Sequence, residues 1–238
     1  MKKLFVILFL SIMCIIPCGV NAQSMSYRTY SGVVVDKALY DKMCEIYSTN
    51  YVETLTEEEF YNLANNDLDN VIKVEYVEEE NITRGSYISS PAKAVEIIKN
   101  GNWVTLMAAW LTVPTIHSFD VMAVRLSGCT LDGNFSFKQT YVSSGDMYVV
   151  RNGMNQYFSN GFGASALLQY GTDNEYTMTF AVLGSGTVYG TYQHAIRSVS
   201  SADSLNYTIA SNGYGKVAKF ASNVSLNYDG MNGVDISF

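Results

Sequence analysis

The alternation of apolar and polar residues through the C-terminal two thirds of the chain constrains the fold more than any other feature. From Tyr87 onward, short alternating runs are separated by turn signals at intervals of about 8 to 12 residues, which is typical of a sandwich. Tyr176, Met178 and Phe180, for example, share one face of a strand. No unit of about 20 to 50 residues repeats, so neither a solenoid nor a propeller is indicated. We predict a mainly β fold, an antiparallel β-sandwich of the jelly-roll type, over residues 86–238.

Two short helices are predicted before the sandwich. Residues 36–49 carry apolar side chains at helical spacing. A second helix should begin at Thr56, because Glu59 lies three residues later, as in a capping box. The acidic run after Thr56 is favoured by the helix dipole without any bound metal. Together with a short strand over residues 71–77, these helices form a predicted N-terminal extension, residues 23–85.

Residues 1–22 have the three parts of a secretory signal peptide. Two lysines precede an apolar run, and a small-residue cleavage site ends at Ala22. A membrane anchor needs about 20 apolar residues, and this run is broken earlier by a proline. Lipidation at Cys18 is the weaker alternative, because small residues do not precede it. We predict a secreted, extracellular protein that begins at Gln23 and has no stable membrane span after signal removal.

The charge of the chain argues against nucleic acid as a partner. The full sequence has a net charge of −7, and removal of Lys2 and Lys3 with the signal peptide makes it −9. Phosphate binding requires clustered Lys and Arg side chains. Tyrosine, phenylalanine and glycine are abundant instead, with 18, 11 and 18 copies. This composition suits a β-rich extracellular protein.

Two cysteines remain once the signal peptide is removed, Cys44 and Cys129. They can form one disulfide that attaches the N-terminal helices to the sheet, or they can be two buried thiols. The sequence does not choose between these alternatives.

No residue cluster has the pattern of a known catalytic site. The chain has two histidines, and His194 shares a face with apolar residues, as a hydrogen-bonded core histidine does. A hydrolase using His117 or His194 with Asp120 is an alternative function. Serine nucleophile and zinc motifs are absent from the sequence. We therefore predict no catalytic residues, no metal ligands and no cofactor.

Calcium is the one ion for which the sequence offers candidate ligands. Asp and Asn residues cluster in predicted loops, for example at residues 65–67, 132–134 and 173–175. Oxygen-rich loops can bind Ca²⁺, but the same residues are also common in tight turns. Without an EF-hand pattern, turns are the favoured interpretation.

Several short segments resemble uncharacterised exported proteins of clostridia-like Gram-positive bacteria. They are residues 55–60, 118–121, 190–195 and 228–234. The resemblance extends over most of the mature chain and implies a bacterial secretory context. It implies no catalytic residue.

These observations predict a non-enzymatic extracellular binding or surface-interaction protein, with a glycan or a protein as its partner. Loops at one end of a sandwich are held rigid by the sheets and suit this role. The richest candidates are residues 132–134, 151–157 and 173–175. Tyr148, Arg151, Asn155 and Tyr157 are predicted to bind the ligand, because they combine aromatic rings with hydrogen-bonding groups.

A secreted β-pore former is a further alternative. It rests on the small residues at 159–166, which are typical of amphipathic membrane hairpins.

Overall fold

The fold is a two-sheet antiparallel sandwich with a layer of helices on one outer face. The structure, a computed structural model, describes residues 25–78, 81–82, 89–90, 92–151, 153–212 and 216–238. The helices are α1 (Lys37–Ile46), α2 (Thr49–Glu53), α3 (Glu57–Ala64), α4 (Ser201–Ser204) and a 3-10 turn at Ser225–Asn227. The strands are β1 (Ser26–Arg28), β2 (Val34–Asp36), β3 (Ile72–Glu78), β4 (Asn81–Ile82), β5 (Ser89–Ser90), β6 (Lys93–Asn100), β7 (Trp103–Trp110), β8 (Phe119–Ser127), β9 (Thr130–Ser143), β10 (Asp146–Val150), β11 (Met154–Phe158), β12 (Gly161–Leu167), β13 (Thr172–Leu183), β14 (Thr187–Gln193), β15 (Tyr207–Ile209), β16 (Ala218–Phe220) and β17 (Val234–Ser237).

Two large sheets form the sandwich. One has six strands in the order β10-β9-β13-β7-β6-β3, and the other has five in the order β11-β12-β8-β14-β17. All of these pairs are antiparallel. The chain passes from one sheet to the other after β7, β8, β10, β12 and β13, as in a jelly roll. The predicted fold class is confirmed.

The main core lies between the two sheets. Alternate residues of β13 fill it, and Tyr176, Met178 and Phe180 are fully buried there, as their spacing predicts. Opposite them, Phe162 and Val188 project from the five-stranded sheet. Apolar burial on this scale is the dominant stabilising contribution to such a fold.

Both outer faces of the sandwich are also covered. The N-terminal helices pack Met43, Tyr51 and Phe60 against Ile98 and Met107 of the six-stranded sheet. On the other side, the segment after β14 packs against β8 through an apolar cluster. The strand faces that would be polar in a bare sandwich are therefore buried.

The N-terminal helices begin where side-chain caps predict. The Thr56 hydroxyl accepts from the Glu59 amide, and the Glu59 carboxylate accepts from the Thr56 amide, so the predicted capping box is present. The predicted helix over residues 36–49 is shorter than expected and ends at Ile46. Ser48 then caps α2, which the sequence analysis did not separate.

The hairpin between β6 and β7 has a different turn from the one predicted. A type I′ turn centred on Asn100 and Gly101 was expected. Asn100 instead pairs with Trp103, which makes Gly101 and Asn102 the central residues. Gly101 has a φ of +62° and Asn102 does not have a positive φ, so the turn has the type II′ pattern.

Two strand assignments also need correction. The alternation of apolar residues over 224–228 predicts a strand, but Ser225–Asn227 form a 3-10 turn. β11 was not predicted, although it is the edge strand of the five-stranded sheet. The strand that the sequence analysis assigned to the N-terminal extension, β3, pairs with β6 along its whole length and so belongs to the larger sheet.

β7 runs between two tryptophans that mark the two ends of the sandwich, here called the Trp103 end and the Trp110 end. Asp132 lies opposite Ala181 at the Trp103 end, where Ala181 also faces Trp103. Glu175 lies opposite Ala109, beside Trp110. Residues 132–134 and 173–175, which were predicted to be loops at one end, therefore lie within β9 and β13 and at opposite ends.

Candidate functional site

Two loops at the Trp110 end border a cavity of about 250 Å³, here called the Trp110 cleft. One follows β7 and the other precedes β13. The lining residues are Trp110, Leu111, Thr112, Val113, Pro114, Gly171, Thr172, Asp173 and Asn174. Large apolar side chains at this cleft are open to solvent: Tyr170, next to Gly171, is 74% exposed, Val113 58% and Leu111 55%.

Two hydrogen bonds with Ala92 hold the first of these loops in place. The Leu111 amide donates to the Ala92 carbonyl at 2.9 Å. The Ala92 amide donates to the Thr112 hydroxyl, also at 2.9 Å. The apolar residues from 103 to 113 predict a strand of that length, but β7 ends at Trp110, and Pro114 is the sequence signal for the earlier end.

The second loop is fixed by close backbone packing. A Cβ on Gly171 would lie 2.4 Å from the Val142 carbonyl oxygen, so only glycine fits there. Asp173 has a φ of +50°, which is uncommon for a residue with a side chain. Asn174 donates from its side chain to the Gly171 carbonyl at 3.1 Å. The ring of His117 stacks on Tyr170 at 3.9 Å and joins the two loops.

A buried group of charges lies beside Trp110, here called the Lys93 cluster: Lys93, Glu78 and Asp229. Lys93 faces Glu78 on one neighbouring strand and Trp110 on the other. Its Nζ donates to Glu78 Oε2 at 2.7 Å and to Asp229 Oδ2 at 2.6 Å, and it lies 5.6 Å from the centre of the Trp110 ring. The Lys93 side chain is 0% exposed.

Asp229 lies in the segment before β17 and is hydrogen-bonded to His194, the residue that follows β14 of the five-stranded sheet. Its backbone amide donates to the His194 carbonyl, and its Oδ1 accepts from the His194 amide at 3.1 Å. The pKa of Asp229 is raised by burial, although Lys93 acts in the opposite direction. The Lys93 cluster therefore connects the two sheets through charged groups that are shielded from water.

The predicted histidine and aspartate do meet, but as a buried structural pair. His194 Nδ1 lies 2.9 Å from Asp120 Oδ1. The same carboxylate accepts from the Ala195 amide at 2.9 Å and from the Tyr192 hydroxyl. Both His194 and Asp120 are buried, as a core histidine was expected to be. His117 contacts Tyr170 instead, so the proposed hydrolase pair is available only at His194, away from solvent.

The four predicted ligand residues follow one another along the β10–β11 segment. Tyr148 is partly exposed and stacks on Tyr141 at 5.3 Å. Tyr157 is exposed and packs against Phe135 at 5.2 Å, nine residues further on. Tyr141 and Phe135 are six residues apart on β9, which is about 20 Å along a strand, so the structure does not gather these tyrosines into one site.

The other two predicted residues have different environments. Arg151 donates to the Thr54 carbonyl at 2.6 Å and to Glu59 at 3.2 Å, which attaches β10 to the helix layer. Asn155 is exposed on β11, opposite Ala164. None of the four lines the Trp110 cleft.

Two further cavities lie toward the Trp103 end. One of about 330 Å³ separates α3 from the six-stranded sheet and includes Trp103, Glu58, Asn62 and Asn134 in its lining. Another of about 130 Å³ includes Tyr157 and Leu131. Neither is surrounded by several exposed apolar side chains, as the Trp110 cleft is.

Within the described ranges, the structure shows neither a metal-binding cluster nor a disulfide. There, no group of three or more His, Cys, Asp or Glu side chains is arranged to hold a metal ion. Cys44 and Cys129 are both free thiols, in two separate apolar clusters. In the same part of the chain, no helix is long and apolar enough to span a bilayer.

The chain was compared with known proteins. No family model matches it, and no curated protein matches it. Among solved structures, the KRT10-binding region domain of the pneumococcal serine-rich repeat protein PsrP is similar, with 10% identity over 70% of this chain and 97% of that one, and a TM-score of 0.36. The collagen-binding subdomain ACE19 of an Enterococcus faecalis surface protein has 9% identity over 59% and 86% of the two chains, and a TM-score of 0.30.

An avian reovirus sigmaC fragment has 12% identity over 48% of this chain and 61% of that one, with a TM-score of 0.26. Identities and TM-scores as low as these assign neither a ligand nor an activity to this chain.

Proposed function

We propose that this protein is a non-enzymatic extracellular binding module that holds a protein ligand at the Trp110 cleft. One observation carries the proposal: three large apolar side chains from two adjoining loops, Leu111, Val113 and Tyr170, are exposed at a cavity. Exposed apolar groups clustered in this way commonly mark interaction sites. The signal peptide predicted at residues 1–22 supplies the extracellular setting.

The chemistry of the cleft favours an extended peptide segment with an apolar side chain. Leu111, Val113 and Tyr170 offer an apolar rim, and interface energy concentrates where such groups become fully desolvated. Thr172 and Asp173, which are exposed, add hydrogen-bonding groups at the same place. Interface sites combine an apolar centre with polar groups that fix orientation in this manner.

The cleft is also held in place before any ligand arrives. His117 stacks on Tyr170, and the Thr112 hydroxyl accepts a hydrogen bond from the Ala92 amide. At position 171 only glycine fits against the neighbouring backbone. These contacts fix both loops. A preorganised site loses less conformational entropy on binding.

The test is selection of a displayed random-peptide library on the full chain. We expect enriched peptides to share a large apolar residue and to bind at least about tenfold more weakly to Leu111→Asp, since a charge would be buried at the contact. Leu183→Asp is the matched control, because Leu183 is 52% exposed but lies at the Trp103 end. The proposal fails if no peptide is enriched, or if both variants bind equally well.

A further inference from the structure

The Lys93 cluster has the geometry of a self-forming covalent bond. We propose that Lys93 and Asp229 condense to an intramolecular amide that joins the two sheets, with Glu78 as the proton carrier. This inference is independent of the proposed binding function.

The reacting groups are already in position. Nζ of Lys93 is 2.6 Å from Asp229 Oδ2, which brings the amine alongside the carboxyl carbon. Holding two reactants in contact in this way replaces a bimolecular encounter and can remove about 7 to 11 kcal/mol from a barrier. Lys93 is the first residue of β6, paired with strands on both sides, and Asp229 lies in the segment before β17, so the fold itself holds both groups.

The condensation proceeds from the neutral forms of the two groups, an amine and a carboxylic acid. An ion pair and its neutral counterpart contain the same number of protons, so transfer of one proton from Nζ to Oδ2 gives an amine and a carboxylic acid without exchange with solvent. Burial disfavours the charged forms, because desolvation of ions is costly. A desolvated lysine amine is a nucleophile of the kind that enzymes use. The raised pKa of Asp229, caused chiefly by burial, is consistent with the acid form.

Glu78 completes the reaction. The neutral amine attacks the Asp229 carboxyl carbon, and the new C–N bond gives a tetrahedral intermediate. Glu78 Oε2, 2.7 Å from Nζ, accepts one proton from the nitrogen and returns it to the departing hydroxyl. One water leaves, an amide remains, and Glu78 recovers its starting state. No oxidant, reductant or other reactant is consumed.

Asp229 Oδ1 has a partner that suits this chemistry. The His194 amide donates to it at 3.1 Å. A backbone donor on the oxygen that becomes negatively charged in the intermediate stabilises that charge. The Trp110 ring beside Nζ helps to shield the reaction from water.

The test is the mass of the denatured full chain. We expect the wild-type protein to be lighter than its sequence requires by the mass of one water, and its tryptic digest to contain a branched peptide that joins Lys93 to Asp229. Glu78→Gln should have the full mass expected for its sequence, because the amide hydrogen-bonds like the acid but does not accept the proton. Lys93→Met and Asp229→Ala should also lack the branched peptide.

Lys73→Met is the matched control. Lys73 of β3 lies 2.7 Å from Glu96 of β6, but this pair is partly exposed to solvent. Lys73→Met should keep the mass deficit. Any N-terminal processing changes the mass of all variants alike, so the comparison between them is unaffected. Full sequence mass in a wild-type chain with native circular dichroism would overturn the bond, and a deficit retained in Glu78→Gln would overturn the role of Glu78. Folding of Glu78→Gln is checked by the same spectrum.

Discussion

At the scale of single residues, the most consequential side chain outside the cleft is Glu175. It lies beneath the helix layer, and its carboxylate accepts from the Ser48 hydroxyl at 2.7 Å. Burial raises the pKa of Glu175 to about 7, and the Ser48 hydrogen bond and Lys138 only partly oppose this. A raised folded pKa means that the folded state holds this proton more tightly than the unfolded state. The stabilisation is complete below about pH 4.5 and is lost as the pH rises to about 7.

Glu175→Gln removes this dependence. The shift from 4.5 to about 7 corresponds to about 3 kcal/mol of differential stability. We therefore expect the variant to gain about 2 to 3 kcal/mol over the wild type between pH 5 and pH 8, measured by urea unfolding. Glu45→Gln, at an exposed carboxylate on α1, should follow the wild-type curve. If the free energy of unfolding changed with pH in the same way in Glu175→Gln and the wild type, Glu175 would not hold a proton more tightly in the folded state.

At the scale of elements, α3 is attached to the sandwich through one carboxylate. Glu59 closes the capping box, lies 3.4 Å from the buried Lys138 and accepts from Arg151. Burial acts to raise the pKa of Glu59, but Lys138, the Thr56 amide and Arg151 together lower it. Burial lowers the pKa of Lys138 to about 8, with Glu59 opposing the change.

Glu59→Gln tests this attachment. A glutamine can still close the capping box, so the variant chiefly leaves Lys138 buried without its nearest counter-charge. We expect a loss of about 1 to 3 kcal/mol in the free energy of unfolding at pH 7. Glu57→Gln is the matched control, since Glu57 is exposed in the same helical turn and should cost less than about 0.5 kcal/mol. Equal losses would show that the charge on Glu59 has no special role.

The elements also show what could be predicted from the sequence. The capping box and the strand alternation depend on neighbours a few residues apart, and both were predicted correctly. Ser225–Asn227 were assigned wrongly, because a short apolar alternation fits a strand and a 3-10 turn equally well. Lys93 and Asp229 are 136 positions apart, so no local pattern brings them together. The Trp110 cleft was missed for the same reason: its two loops meet only through the sheet pairing.

At the scale of the whole molecule, the proposed amide closes a large loop of chain. Lys93 and Asp229 enclose most of the sandwich, and their separation of 136 positions sets the entropy that closure removes from the unfolded state. The chain-entropy argument developed for disulfides gives about 5 kcal/mol for a loop of this size. The amide would stabilise the fold by lowering the conformational entropy of the unfolded chain, with little change in the native contacts.

This origin predicts a difference in the denatured state. In concentrated guanidinium, wild-type protein should elute later from a size-exclusion column than Glu78→Gln, because a closed loop is more compact. Its unfolding should also show a smaller dependence on denaturant concentration. Identical elution of the two denatured chains would contradict a covalent closure, whatever their native stabilities.

The arrangement of strands at the sides of the sandwich restricts how copies of the molecule can join. On one side, the edge is divided between β10 and β11, two five-residue strands in different sheets. On the other, β3 offers seven residues, with Ile72, Val74 and Val77 exposed. An added strand therefore has its longer template at β3, while the opposite edge of the same sheet, β10, offers five residues. Continuous growth of an intermolecular sheet would have to use both edges, so edge-to-edge association of this fold should favour pairs joined through β3 over fibres.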